Sequence, residues 1–307
     1  MKPASITKPM FRTPFAGNTD DAIRLLDYLQ SLAAEGTRDR LARHDLGPSE
    51  LWNAWSDDTF IGFSGDRLLL MSGHRFGWSE LVPRPFRWPW QRKTDFSASR
   101  EIAAFSRHYP DFRAPAEHAE LRDHHLGAYL RSAEAYILSG MPKAGTMLEI
   151  GAGNCVHVAF RHLLNPAMRT TVIDLPASIP VGYLLLRLVG IDVALPNEVA
   201  AAAVRFQLPH QPVEGVFDFA FNMSSFQEMT PHTVNGYLAL IAKHLHPGGM
   251  LQHVNMREAR HIPGNSVAAY DMAGLVSPQE TNAAYHSGVA GFPVVSVLAR
   301  KPADAAA

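Results

Sequence analysis

Between Thr146 and Ala299 short apolar runs alternate with amphipathic stretches, and glycines or prolines punctuate the changes. Apolar runs of four to six residues predict strands buried on both faces, whereas a 3.6-residue period predicts helices packed on one side. The strands fall at Thr146 to Ile150, Thr170 to Ile173, Val204 to Leu208, Phe217 to Phe221, Met250 to Val254 and Val294 to Ala299. Helices fit between them at His157 to Leu164, stopped by Asn165-Pro166, and at Val181 to Val189. A third starts at Thr230, a capping residue, with Pro231 at the first helical position where the absent N–H costs nothing. It places Val234, Tyr237, Ile241 and Leu245 on one face and ends at Pro247-Gly248-Gly249. Parallel strands joined by helical crossovers predict a doubly wound α/β sheet, with ligands at the carboxyl ends of its strands.

The first 140 residues follow a different pattern. Thr19 or Asp20 can cap a helix from about Asp21 to Ala34, with Leu25, Leu29 and Leu32 on one face and Gly36 as its stop. Helical patterns also cover Ser49 to Trp55 and Ala116 to Leu138, while residues 60–95 give no clear period. Within them Trp78, Phe86, Trp88 and Trp90 are spaced by prolines, which forbids a regular helix. The expected division is a mostly helical substrate-binding or lid region over 1–140, a ligand-binding core over 141–303, and a frayed alanine-rich tail over 304–307.

Composition narrows the partners. Lys plus Arg total 28 against 29 for Asp plus Glu, so the basic excess that nucleic acid requires is lacking. Cys155 is the only cysteine, which rules out an intrachain disulfide and fits a reducing compartment. No apolar window is long enough to span a bilayer or to make a signal-peptide core, and a cytoplasmic protein is expected.

The chemistry centres on T-M-L-E-I-G-A-G-N-C, Thr146 to Cys155. A buried strand here runs into a sharp turn where Gly151 and Gly153 leave the backbone bare for a nucleotide-like ligand. Asp174, closing the second strand, can accept both ribose hydroxyls of a nucleoside lying across the first. A dinucleotide would need a third glycine in G-x-G-x-x-G, and Val156 occupies that position, which disfavours NAD.

The segments E-I-G-A-G-N, V-I-D-L-P, F-D-F-A-F-N-M-S-S-F-Q-E-M, L-H-P-G-G-M-L and V-V-S-V-L-A-R-K occur in an order that resembles class I S-adenosylmethionine-dependent methyltransferases. Within them, N-M-S-S-F-Q-E-M followed by a tyrosine-bearing helix is similar to the sugar O-methyltransferase family. The resemblance implies a seven-stranded Rossmann-like sheet with its last strand antiparallel, and S-adenosyl-L-methionine as cofactor. It implies Gly151 and Gly153 against the methionine part, Glu149 beneath its amine, and Asp174 on the ribose. Leu175 would lie beside the adenosine, Leu208 to His210 beside the adenine, and Asn222 opposite the reacting methyl.

Methylating an alcohol needs a base for its proton. Where plant phenolic O-methyltransferases carry a His-Asp pair, this chain has Gln227-Glu228, and Gln cannot act as a base. Glu228 and His253 are the candidate bases, each also explicable as a structural residue; His232 reads as an exposed residue of a helix's first turn. No metal site is expected: the adjacent His124 and His125 diverge by about 100° on a helix and cannot chelate together. Cys155 is expected to be buried and inert. The expected partner is a small-molecule acceptor, a sugar or a specialised metabolite, with no nucleic acid or membrane and with a homodimer left open. Methylation at nitrogen or a carboxylate, an NAD-dependent oxidoreductase, and a non-catalytic methyltransferase-like subunit are the rival readings.

Overall fold

The computed structural model describes residues 19–47, 59–64, 67–72, 126–140, 145–259, 261–284 and 292–303. The Ser49 to Trp55 helix, the Pro-spaced aromatics Trp78 to Trp90, and His124-His125 lie outside them. Among the described residues, the core strands are β3 (Thr146–Ile150), β4 (Arg169–Ile173), β5 (Val193–Ala194), β6 (Val204–Gln207), β7 (Phe217–Met223), β8 (Leu245–Met256), β9 (Val276–Asn282) and β10 (Val294–Arg300). They form one sheet in the order β5-β6-β4-β3-β7-β8-β10-β9. From β5 to β8 the pairs are parallel, while β10 runs antiparallel to both β8 and β9. This is the doubly wound arrangement expected from the sequence, with the two-residue β5 added as an eighth strand at one edge.

The helices are α1 (Thr19–Ala34), α2 (Thr37–Ala42), α3 (Leu126–Ser139), α4 (Val156–Leu164), α5 (Ile179–Leu188) and α6 (Pro231–His244). The pleat decides what each covers. Met147 and Glu149 on β3 face the same side as Phe219 and Phe221 on β7, and α3 and α4 pack there. Leu148 and Ile150 face the other side, in one apolar cluster with Val234, Tyr237, Leu238 and Ile241 of α6. The chain thus leaves β3 towards one face and β7 towards the other. These neighbours bound the crevice in which doubly wound sheets bind ligands.

Helix α5 is apolar nearly all round (I-P-V-G-Y-L-L-L-R-L), a composition that requires cover on both sides. The sheet supplies one side through Val172, Val204 and Phe206, and α1 supplies the other through the fully buried Leu25 and Tyr28. Polar ties hold α1 in place: Asp21 accepts from the Tyr183 hydroxyl and from Arg187 Nε at 2.9 Å. Arg24 donates to both carboxylate oxygens of Glu198 and to the Val193 carbonyl, each at 2.6 Å. On the same face of the sheet, Arg161 of α4 is fully buried. Its guanidinium lies 4.8 Å from the ring centres of Phe219 and Phe221 and 5.3 Å from that of Tyr136. Aromatic faces there stand in for water around the charge. Gln252 accepts from Arg161 at 3.4 Å and donates to the Ala135 carbonyl and to Ser296 at 2.9 Å, tying α3 to β8 and β10.

Three features depart from the sequence reading. Within residues 59–72, which give no period, lies the antiparallel pair β1 (Thr59–Ser64) and β2 (Arg67–Ser72). Strand β9, V-S-P-Q-E-T-N, is exposed along its whole length and has no apolar alternation by which to recognise it. The Pro247-Gly248-Gly249 turn lies within the extended segment of β8 rather than before it. The cap of α6 is as expected: Thr230 Oγ1 accepts from the Thr233 N–H at 3.2 Å. Thr230→Ala is expected to lower stability by about 1 kcal/mol. Denaturant unfolding would show a lower midpoint with an unchanged slope.

Candidate functional site

At the crevice the chain turns on four residues with left-handed backbone. Gly151 (φ 67°) and Gly153 (φ 55°) follow β3, Cys155 (φ 58°) precedes α4, and Ser224 (φ 63°) follows β7. Non-glycine residues rarely hold this conformation, and where they do they tend to mark functional turns. The two glycines serve different ends. A side chain at Gly151 would collide with Ser225, so its absence lets the two turns meet; one at Gly153 would enter open space. The bare face at Gly153 is therefore available to a ligand. Gly182 of α5 lies so close beneath the loop that a Cβ would be 2.5 Å from the Cys155 sulfur. Cys155 is fully buried, and burial pushes its thiol well up, so it stays protonated and inert.

Asp174, at the end of β4, holds this loop. Its Oδ2 accepts from the Gly153 N–H at 2.7 Å and its Oδ1 from the Leu175 N–H at 2.7 Å. Burial pushes the carboxyl up to about 6, against the opposing pull of the Leu175, Gly153 and Ser178 hydrogen bonds. Glu149 is 2% exposed, and its Oε2 has no hydrogen-bond partner. Burial raises it to about 8; Arg161 partly offsets this, and Asp174 adds to it. Two buried carboxyl groups therefore lie at adjacent strand ends; the hydrogen bonds to Asp174 come from neutral groups, and Arg161 is the cation that bears on Glu149. Such a site favours a cationic ligand and repels a pyrophosphate. Leu175 is half-buried beside Asp174. In the loop after β6, Leu208 is buried and His210 is depressed by burial and then by the Arg40 and His44 charges.

The residues after β7 form a braced turn. Asn222 was expected opposite a reacting methyl. It is instead fully enclosed: its Nδ2 donates to the Ile150 carbonyl at 2.9 Å and to Ser225, and its Oδ1 accepts from Asn255 at 2.9 Å. It locks β7 to β3 and β8 at the crevice floor. Gln227 is likewise structural, accepting from the Met256 N–H at 2.8 Å, while its own N–H donates to Asn255 Oδ1 at 3.2 Å. Asn265, which the sequence did not single out, donates to the Phe226 and Met229 carbonyls at 2.8 and 2.6 Å and accepts from the Tyr270 hydroxyl at 2.8 Å. These amides hold the 3-10 turn Phe226–Glu228, leaving Glu228 half-buried at the carboxyl end of β7.

His253 was expected to open onto the site. It lies fully buried on β8 behind Phe226 and Tyr270, with ring centres 6.0 and 5.6 Å away. Burial depresses it to about 4, so it is neutral at physiological pH, but no acceptor reaches it in this arrangement. His232 is exposed in the first turn of α6, as read from the sequence. Among the described residues no cluster of three or more His, Cys, Asp or Glu could hold a metal ion, and no helix is long and apolar enough to cross a membrane.

No family model matches the chain, and no curated protein matches it. Among solved structures it is similar to the N-methyltransferase NodS of Bradyrhizobium japonicum: 19% identity over 59% of this chain and 99% of that one, TM-score 0.44. It is similar to a methyltransferase from Pyrococcus furiosus at 16% identity over 56% of this chain and 83% of that one, TM-score 0.40. A third is phosphoethanolamine N-methyltransferase 2 of Haemonchus contortus, solved with S-adenosylhomocysteine: 14% identity over 56% of this chain and 52% of that one, TM-score 0.41. No residue role follows from likenesses at this level.

The two acids give the site a pH signature. Both carboxyl groups hold their protons to higher pH in the folded chain than their ordinary values of 4.5 and 3.8. The folded state therefore binds more protons, and stability falls as pH rises from about 4 to about 8. Glu149→Gln should remove the Glu149 share of this loss, which runs from about pH 4.5 to 8, raising the melting temperature of the ligand-free protein at pH 8. A melting curve as pH-dependent as that of the wild type would refute the buried acid.

Proposed function

We propose that the chain is an S-adenosylmethionine-dependent methyltransferase acting on a small molecule, with an alcohol of a sugar or specialised metabolite as acceptor. The observation that carries this reading is the pair of buried carboxyl groups, Glu149 and Asp174, flanking the bare backbone at Gly153. An aminoacyl sulfonium nucleoside matches that set: two positive charges for the acids, a ribose for Asp174, and no phosphate to repel.

The residues present fit this cofactor. Asp174 keeps unused lone pairs on oxygens already oriented by Gly153 and Leu175, and these can accept ribose hydroxyls. Glu149 has a free Oε2 beneath the glycine loop, able to meet an ammonium directly or through water. When bound, the cofactor supplies a methyl group already activated by its sulfonium, so alignment of the acceptor supplies much of the rate enhancement. Glu228, on the braced turn at the end of β7, would take the acceptor hydroxyl proton. Asn222 and Asn255 position that turn rather than touch the acceptor. The NAD reading is disfavoured by the acids at the loop and by Val156, the first residue of α4, in place of a third glycine.

Incubating the purified protein with S-adenosylmethionine and a panel of sugars and phenols should yield products heavier by one methylene, seen by mass spectrometry. Asp174→Ala should abolish cofactor binding in calorimetry. Glu228→Gln should leave S-adenosylhomocysteine affinity unchanged while lowering turnover by roughly 100-fold or more. Full turnover by that variant would favour an acceptor that needs no base, such as a carboxylate.

A further inference from the structure

Residues 19–47 form a strap with unlike ends. At one end α1 is fixed to α5 and the following loop by Asp21 and Arg24, through Tyr183, Arg187, Glu198 and the Val193 carbonyl. At the other end Tyr237 of α6 donates to the Leu46 carbonyl at 3.0 Å. Beside it the Leu46 side chain fills the space left by Gly236, where a Cβ would stand 2.6 Å from Leu46 Cδ2. Helices α5 and α6 cover opposite faces of the sheet, so the strap passes over the carboxyl ends of the strands between them. Its passage is registered at His210, which is influenced by Arg40 and His44, and at Asp174, whose charge bears on Tyr28.

Tyr28 is the anomaly in this strap. It is fully buried, and its hydroxyl has no hydrogen-bond partner. A buried, unpaired hydroxyl costs free energy, and it sits in the electrostatic range of the one acid that the sequence assigns to a nucleoside. A tyrosine that served packing alone would be as well replaced by phenylalanine.

Resting on the methyltransferase reading, we propose that the strap is a clasp over the bound cofactor, with the Tyr28 hydroxyl as its direct contact and the Leu46 seat on Gly236 and Tyr237 as its latch. The cofactor enters when the latch end lifts while α1 stays anchored. From the anchored α1, Tyr28 donates a hydrogen bond to an oxygen of the bound ligand beside Asp174. The clasp thereby adds an N-terminal residue to a site otherwise built from strand ends.

S-adenosylhomocysteine is the probe. Tyr28→Phe should weaken its binding by roughly threefold to tenfold in calorimetry, the range of one neutral hydrogen bond. It should leave the melting temperature of the ligand-free protein unchanged or higher, because no bond is lost there. Equal affinity in Tyr28→Phe and wild type overturns the contact. The latch is tested separately: the ligand should slow trypsin cleavage after the exposed Arg40 and Arg43 in the wild type. Gly236→Val, which evicts Leu46, should speed both association and dissociation of the ligand in stopped-flow mixing. Cleavage indifferent to ligand, with unaltered rates in Gly236→Val, overturns the clasp. If the wild type fails to bind S-adenosylhomocysteine at all, the methyltransferase reading itself falls.

Discussion

A buried carboxylate answered only by neutral donors organises this molecule. Asp174 sits at the end of β4, and its oxygens take the Gly153 and Leu175 N–H groups. An anion out of water must find donors close by. Meeting that requirement turns the glycine loop towards β4, and the left-handed backbone of Gly151, Gly153 and Cys155 follows. The same bend sets the start of α4 and brings Ser225 against Gly151, so the turn after β7 is located by it as well. Neutral donors hold the charge without cancelling it, and the field that remains selects for positive ligands.

How much of this the sequence shows depends on whether a feature is local. β3, the glycine turn, Asp174 and the Thr230 cap are legible because each is written in a few consecutive residues. Apolar runs mark strands buried on both faces, and a capping threonine before proline marks a helix start. The two-residue β5 and the exposed β9 carry no such mark. Side-chain roles were harder to read. Asn222 and His253 lie on neighbouring strands in direct register, Asn222 opposite His253. Which of them would meet solvent depended on how Phe226, Asn255 and Tyr270 close over them. Tyr28 is a single aromatic in an amphipathic helix, and no local signal separates it from ordinary core.

The two faces of the sheet are built unequally. One carries α3, α4 and α5 with α1 outside them, and its polar residues Arg161, Gln252 and Ser296 are wired together beneath the helices. The other carries α6, and among the described residues of the crossover from β8 to β9 (257–275) the 3-10 turn Val267–Ala269 is the longest helical piece. Asn265 and Tyr270 from that crossover brace the turn bearing Glu228. An irregular connection here brings one amide to bear on two backbone carbonyls, those of Phe226 and Met229, with the Tyr270 phenol steadying that amide.

The anchoring of α1 also governs the order in which the chain can assemble. Arg24 and its partner Glu198 are 174 residues apart, so α1 leaves the ribosome long before the surface that receives it exists. Contacts of such separation close late, after nearer pairings have formed. Until then the outer face of α5 is uncovered, and the nascent sheet carries an adhesive apolar flank. The earlier-synthesised of the two partners thus waits to dock, and a helper that shields α5 meanwhile would act while that apolar flank is open to aggregation.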